Sequence, residues 1–409
     1  MHVLYLTQWY PPEPAILQQQ LAQTLIERGH HVTILTGFPN YPAGKLYPGY
    51  RIKPIQREVL AGVPVVRVPL FPEHSRSGLL RIGNYLSFAL SAGLLGAGVV
   101  SRPDVLFVYH PPLTVGLPAI ALSRIWNVPF VYQIQDLWPD TLKSTGMLNN
   151  ETMLDVVGSV AAMIYSEAAA IPVISEGFRR RLLEQGVPAS KLHVISNWVD
   201  HALYHPEPPD AALAERLELA GRFNVMFAGN LGAAQGLDTI IEAAKLLRGT
   251  PEIQFVFVGD GVAEQELRDR VRQSELANVL FLGRYPPEEM NKLYALADAL
   301  LVHLRNDPLF EITVPHKIFS YMAVGKPILC AVGGEAAHTV VNTGAGVACP
   351  PQAPERLAET VQILYAMPKD QRIGMGRCGL QAARTIYSRE YCTSQLEALF
   401  YDVTQTRLH

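Results

Sequence analysis

The stretch that most constrains this chain covers residues 306–335, NDPLFEITVPHKIFSYMAVGKPILCAVGGE. Its order predicts a loop over 306–313, a short helix, a buried strand, and a glycine turn that opens another helix. Pro315 suits the first helical turn, where its missing N–H costs nothing. Ile318, Phe319, Met322 and Ala323 recur at helical spacing, and Gly325 with Pro327 stops the helix. The run 328–332 is apolar throughout, as a central parallel strand should be. A helix placed after such a loop aims free N–H groups and its positive dipole end outward, and Lys317 adds a full charge. Taken alone, the stretch is either a plain αβ unit with a solvated lysine or an anion site.

The rest of the chain repeats this strand-then-helix grammar. Strands are expected at 2–7, 31–36, 104–110, 130–135, 171–175 and 192–195, with helices at 16–28, 114–126 and 152–170. Residues 57–70 read as a hairpin turning on Ala61-Gly62. A second series starts at 224–228 and continues through 253–258, 279–282 and 300–304, again with helices between. Repeated βα order means parallel doubly wound sheets, with ligands at the strands' C-terminal ends. The expected fold is therefore α/β, with two facing Rossmann-like domains and an interdomain cleft. A length of 409 residues is enough for two cores. The boundaries read as a first domain at 1–203, a proline-bearing charged linker at 204–222, a second domain at 223–385, and a helical tail at 386–409 crossing back to the first. No Gly-x-Gly-x-x-Gly follows the first strand, which argues against a dinucleotide. The long loop 37–57 is of a length usually reserved for function.

Charge and cysteine usage narrow the class. The formal net charge of −3 excludes a global nucleic-acid footprint, so no nucleic acid partner is expected. Four cysteines (Cys330, Cys349, Cys378 and Cys392) lack metal-ligand spacing and read as reduced thiols of a cytoplasmic protein. The N-terminus lacks the basic start of a signal peptide and enters a strand at once. Residues 82–101 carry no charge and are flanked by Arg76, Arg81 and Arg102. A helix packed on a sheet leads there, ahead of a helix lying on a bilayer surface and of a span. Between residues 40 and 125 nine basic residues stand against three acids, which favours peripheral contact with an anionic membrane at its inner face.

Glycine turns follow the strands of the second half: GNLGAAQG at 229–236, GDG at 259–261, and Gly283-Arg284. Glycine lets backbone amides approach a ligand closely, and these three turns with the loop 306–313, on one sheet edge beside Lys317, describe a diphosphate pocket. At this point the chain resembles glycosyltransferase family 4. The resemblance rests on AGNLGAAQGLDTIIEAA, FVFVGDG, VLFLGRYPPEEM and VPHKIFSYMAVGKPIL, with YPPEP, HPPLTVGL and DLWPD in the first half. It spans nearly the whole chain and is nearest to bacterial transferases of surface-polysaccharide and amino-sugar assembly.

The resemblance implies a retaining GT-B enzyme that takes a nucleotide sugar, UDP-sugar favoured, as substrate. It implies no cofactor, no metal, and a glycan, lipid-linked or small-molecule acceptor. Donor contacts fall on Gly229, Asn230, Gln235, Gly259, Asp260, Arg284, Thr313, Val314 and Ser320. Lys317, Glu311 and Asp136 are the candidate catalytic residues. The acceptor side carries Pro14, Ala15, His110, Gln135 and Trp138, although the simplest reading of His110 is a turn residue. Several positions depart from the family. Asn230 and Gln235 replace an Arg and a Lys, Ser320 replaces the ribose-binding Glu, Ile312 stands at the first acid of that motif, and Pro14-Ala15 replaces a glycine pair. A nucleotide-sugar 2-epimerase, or a non-catalytic partner subunit on the same fold, is the alternative.

Overall fold

A computed structural model describes residues 1–74, 78–144, 147–148 and 150–405. Arg76 lies outside the described residues. The chain divides into two compact units, one of residues 1–197 and 389–409, the other of residues 198–388.

In the first unit the sheet is built from β1 (His2–Leu6), β2 (His31–Gly37), β3 (Gln56–Leu60), β4 (Val63–Val68), β5 (Val105–Tyr109) and β6 (Phe130–Gln133). Its order is β3-β4-β2-β1-β5-β6, parallel except for the β3–β4 pair. That pair is the hairpin read from the sequence. Ala61 and Gly62 turn it with φ of 49° and 82°, the two positive values a type I′ turn requires. A parallel pair, β7 (Ile171–Val173) with β8 (Leu192–Val194), continues the sheet through bridges from Val131 to Ala170 and Ile134 to Val173. The central strands read VLYL and VLFV and are buried on both faces, as a helix-covered parallel sheet demands.

The uncharged segment forms the helix Gly78–Val99 and packs on β2 and β4 and against the helix Gly116–Trp126. Phe88 and Ala92 are its fully buried anchors. The C-terminal helix Arg389–Gln405 belongs to this unit. Glu397 on it accepts from Arg28 at 2.7 Å and pairs with His30 at 2.7 Å, and Phe400 packs 5.3 Å from Phe107.

The second unit repeats the plan with β9 (Phe223–Ala228), β10 (Ile253–Val258), β11 (Val279–Gly283), β12 (Ala299–His303), β13 (Ile328–Ala331) and β14 (Gly346–Ala348). All pairs are parallel, in the order β11-β10-β9-β12-β13-β14. The stretch 204–222, expected as a linker, packs here instead. Asp210 caps the helix Ala211–Arg216, and Tyr204, Leu213, Ala214 and Leu217 lie against the core. The expected loop 306–313 also contains a turn of helix, Pro308–Glu311. Asp307 caps it by accepting from Leu309 N at 2.9 Å, and Pro308 fills the first helical position. The key helix runs Lys317–Ala323, and Gly325 ends it with φ of 69°.

Candidate active site

The second unit carries a pocket of about 450 Å³ at the C-terminal ends of β9, β10 and β11. Its anchor is Lys317. The helix Lys317–Ala323 buries Ile318, Phe319, Met322 and Ala323 in the core, so its position is fixed by packing. Tyr321 fixes it further. Its buried hydroxyl donates to the Ala228 carbonyl at 3.2 Å and accepts from the Ala228 N–H at 3.1 Å. Ala228 ends β9, so this pair of hydrogen bonds sets Lys317 against the turn that follows.

That turn begins at Gly229, where φ is 141° and a Cβ would stand 3.0 Å from Lys317 Nζ. Gly259 has φ of 132°, and a Cβ there would lie 2.0 Å from the Gly229 carbonyl oxygen. Any side chain at either position would push the two turns apart or displace the ammonium.

Lys317 Nζ donates to Gln235 Oε1 at 3.1 Å and stands 4.1 Å over the Phe227 ring. Among the described residues no carboxylate pairs with it. Burial pulls its ammonium down to about 8, because the pocket strips water from the charge and supplies no anion in return. A desolvated cation set against a glycine turn is suited to holding an anion.

Most of the expected donor residues meet here. Gly229, Asn230, Gly259, Asp260, Arg284, Lys317 and Ser320 line the pocket, and Gln235 reaches it through Lys317. Asp260 and Arg284 face each other at 3.6 Å across its exposed edge. Glu311, Thr313 and Val314 are not among the lining residues. The turn of helix at Pro308–Glu311 takes them elsewhere. The Glu311 carbonyl presses on Gly334, the Thr313 hydroxyl donates to Leu309 O at 2.7 Å, and Val314 packs on the core.

Sequence reasoning did not assign Tyr204, Tyr285, Pro287, Met290, Tyr294 or His316 to this pocket. Tyr204 was hidden by its place at the start of an apparent linker. Tyr285-Pro286-Pro287 directly follows the Gly283-Arg284 turn, and that proximity was the available signal.

In the first unit the candidate residues cluster after β5 and β6. Gln135 exchanges two amide hydrogen bonds with Asn197, at 3.0 and 2.8 Å. Asp136 is raised by burial. Trp138 is partly exposed and meets the His110 ring edge-on at 5.7 Å. His110 is only 1% exposed, finds no hydrogen-bond partner for either ring nitrogen, and is driven by burial to about 3. It is a neutral core group. Pro14 is exposed, and Ala15 is buried at the start of the helix Ile16–Glu27.

The sequence had not marked the neighbouring Glu13. Its carboxyl accepts from the backbone N–H groups of Tyr10, Asn40 and Tyr41 at 3.0, 2.9 and 2.8 Å, tying the first loop to the long one. Arg67, fully buried, reaches the Gly37 carbonyl at 2.8 Å and pairs with Glu58.

Two family models match the chain: a glycosyl transferase 4-like domain over residues 15–198 and glycosyl transferases group 1 over residues 209–375. Among curated relatives, the probable glycosyltransferase WbjE of Pseudomonas aeruginosa is 28% identical over 76% of this chain and 78% of its own. WcaI of Escherichia coli K12, named as a colanic acid biosynthesis glycosyl transferase, is 26% identical over 87% and 89%. Among solved structures, Anabaena HepE in complex with UDP superposes with a TM-score of 0.73 at 19% identity, over 98% of this chain and all of that one. On two matched domains, relatives matched over most of their length and the observed pair of α/β units, the chain is a glycosyltransferase of the GT-B fold.

Proposed function

We propose that the chain is a retaining, metal-independent hexosyl- or N-acetylhexosaminyltransferase that takes a UDP-sugar and acts in surface-polysaccharide assembly. The observation that carries this reading is Lys317, a desolvated ammonium that pairs with no carboxylate among the described residues and stands against the Gly229 turn. In the proposed reaction the bond from the anomeric carbon to the diphosphate oxygen breaks while the acceptor oxygen bonds to that carbon from the same face. The acceptor proton passes to the departing diphosphate. Lys317, Asn230 and the turn amides meet the charge that develops there, so protein groups supply what a divalent cation would otherwise supply.

HepE, a fold neighbour, was solved with UDP and with UDP-glucose, and the relatives' names point to polysaccharide assembly; both support the reading. Release of free UDP across a panel of nucleotide sugars, with and without EDTA, tests it. Turnover of a UDP-sugar that survives chelation is expected. Conversion of a UDP-sugar to its 2-epimer with no UDP released would replace the transferase by the epimerase, and binding of no nucleotide would leave a partner subunit.

The acceptor is proposed to be lipid-linked and met at the cytoplasmic face of an anionic membrane. The helix Gly78–Val99 supports this with an unpartnered apolar stripe. Ile82, Leu86, Leu90 and Leu94, four residues apart, are 37, 47, 65 and 74% exposed. Its segment Leu80–Val99 is long and apolar enough to cross a bilayer by length and composition alone. Its inner face is already committed to β2 and β4, so contact at the surface is the proposed mode.

A further inference from the structure

Behind the pocket, the last residue of β12 is a histidine in an otherwise apolar strand, ALLVH. His303 is fully buried, where a polar ring costs free energy unless it is hydrogen-bonded. Its Nδ1 lies 2.6 Å from the main-chain oxygen of Gln235. A carbonyl oxygen only accepts, so Nδ1 carries the proton. Nε2 finds no partner among the described residues. Burial pulls the imidazole down to about 4; the charge of Lys317 pushes the same way, and the Gln235 carbonyl and Asp238 oppose it. The ring is therefore neutral near pH 7, and its Nδ1–H is a constant donor.

The turn Ala233–Gln235 is seated on this ring. A Cβ on Gly236, where φ is 60°, would stand 3.1 Å from His303 Cε1, and the Arg305 N–H donates to the Ala234 carbonyl at 3.0 Å. Gln235 thus serves twice. Its main-chain oxygen accepts from His303, and its side-chain Oε1 accepts from Lys317 Nζ at 3.1 Å. On the reading that this pocket takes a nucleotide sugar, we propose that His303 is a positioning residue of the transfer reaction, fixing through Gln235 where the Lys317 ammonium stands. A lysine ammonium sits on a flexible four-carbon stem, whereas a charge stabiliser works best when it is in place before the charge develops. A carboxylate could fix it only by neutralising it. An amide oxygen fixes it and leaves the charge free, provided the turn that carries the amide is itself held. His303 supplies that hold from the core, and as a neutral donor it sets no second charge beside the lysine.

The test is calorimetry of UDP binding to the full chain, from about pH 6.5 to about pH 9.5, in His303→Asn and His303→Gln. An asparagine amide can place its N–H where Nδ1 stands, a glutamine amide where Nε2 stands. His303→Asn should keep UDP affinity within about twofold, whereas His303→Gln should weaken it about three- to tenfold, the scale of one neutral hydrogen bond. The bond from Lys317 to Gln235 favours the charged ammonium, so a displaced Gln235 should also start the alkaline fall in affinity at a lower pH. A purely structural defect would leave that limb where it is. On a Lys317→Ala background His303→Gln should add less than about twofold. Gln235→Ala leaves the core untouched and should shift the same limb, whatever His303→Gln does to the melting temperature. Any of three results overturns the proposal: Gln235→Ala or His303→Gln leaves the alkaline limb unmoved; His303→Asn loses as much affinity as His303→Gln; or the His303→Gln loss persists in full without Lys317. Wild type that binds no UDP overturns the donor reading, and with it the proposal, an outcome distinct from these three.

Discussion

Lys317 Nζ donates to Gln235 Oε1 at 3.1 Å, and this neutral partner leaves the ammonium's charge unspent. A carboxylate in the same place would have neutralised it and closed the site to anions. Lys317→Ala should therefore cut turnover by about two orders of magnitude, the scale of removing one preorganised charge stabiliser. Thermal unfolding should change little, because the fold gains nothing from a desolvated, unpaired charge. Near-wild-type turnover in this variant would remove the phosphate site from Lys317.

The same ammonium sets a pH dependence. Burial lowers it to about 8, below the ordinary lysine range, and a diphosphate bound beside it would favour the charged form and raise it again. Binding above pH 8 must then take up a proton. UDP affinity should be flat in this respect near pH 7 and fall about tenfold per pH unit above 8, until the raised pKa of the complex is reached. Lys317→Arg, which keeps its proton throughout, should flatten that limb. An unchanged alkaline limb in the arginine variant would assign the titration to another group.

Much of this site was legible because its elements punctuate themselves. Glycine after β9 and β10, Pro327 after the key helix, and a charged residue at that helix's start are local signals. The strands betrayed themselves by apolar runs such as VMFA and FVFV. What escaped was tertiary. Nothing local tells that Tyr204 lines the pocket, because its place there depends on Asn291 gripping the chain on either side. Glu311 owes its place to tertiary structure too. Asp307 and Pro308 start a turn of helix that carries it to the Gly333-Gly334 turn. Arg67 counted as surface charge in the sequence and is an internal clamp in the fold.

Glu397 joins the C-terminal helix to the first unit through Arg28 and His30, each at 2.7 Å. Burial pushes its carboxyl up, but hydrogen bonds from His30 and Arg28 outweigh that and hold it below the ordinary range. A carboxylate depressed in the folded state adds stability above its unfolded pKa and loses it as pH falls through the folded one. Glu397→Gln should therefore lower the melting temperature at pH 7 by a few degrees, and the difference from wild type should shrink as the solution is taken below about pH 4. A difference that stays constant from pH 7 to pH 3 would show that shape, and not charge, carries the contact.

The apolar stripe of the helix Gly78–Val99 gives the membrane reading a test that does not depend on Arg76. With Arg67 tied to Glu58 inside the fold, Arg51 and Lys53 are exposed basic residues of the long loop that alternate with exposed Ile52 and Ile55. Two different contributions follow. The stripe should give affinity that salt does not remove, and the basic loop should give affinity that depends on anionic lipid, about 1 kcal/mol per basic residue near the surface. Co-sedimentation with vesicles rich in anionic lipid should recover the wild type in the pellet, less so at high salt. Leu90→Glu/Leu94→Glu should abolish binding to any vesicle, whereas Arg51→Glu/Lys53→Glu should remove only the preference for anionic lipid. Equal recovery of the wild type in the supernatant with and without anionic vesicles at low salt would sink the membrane reading, and the acceptor would then be a soluble one.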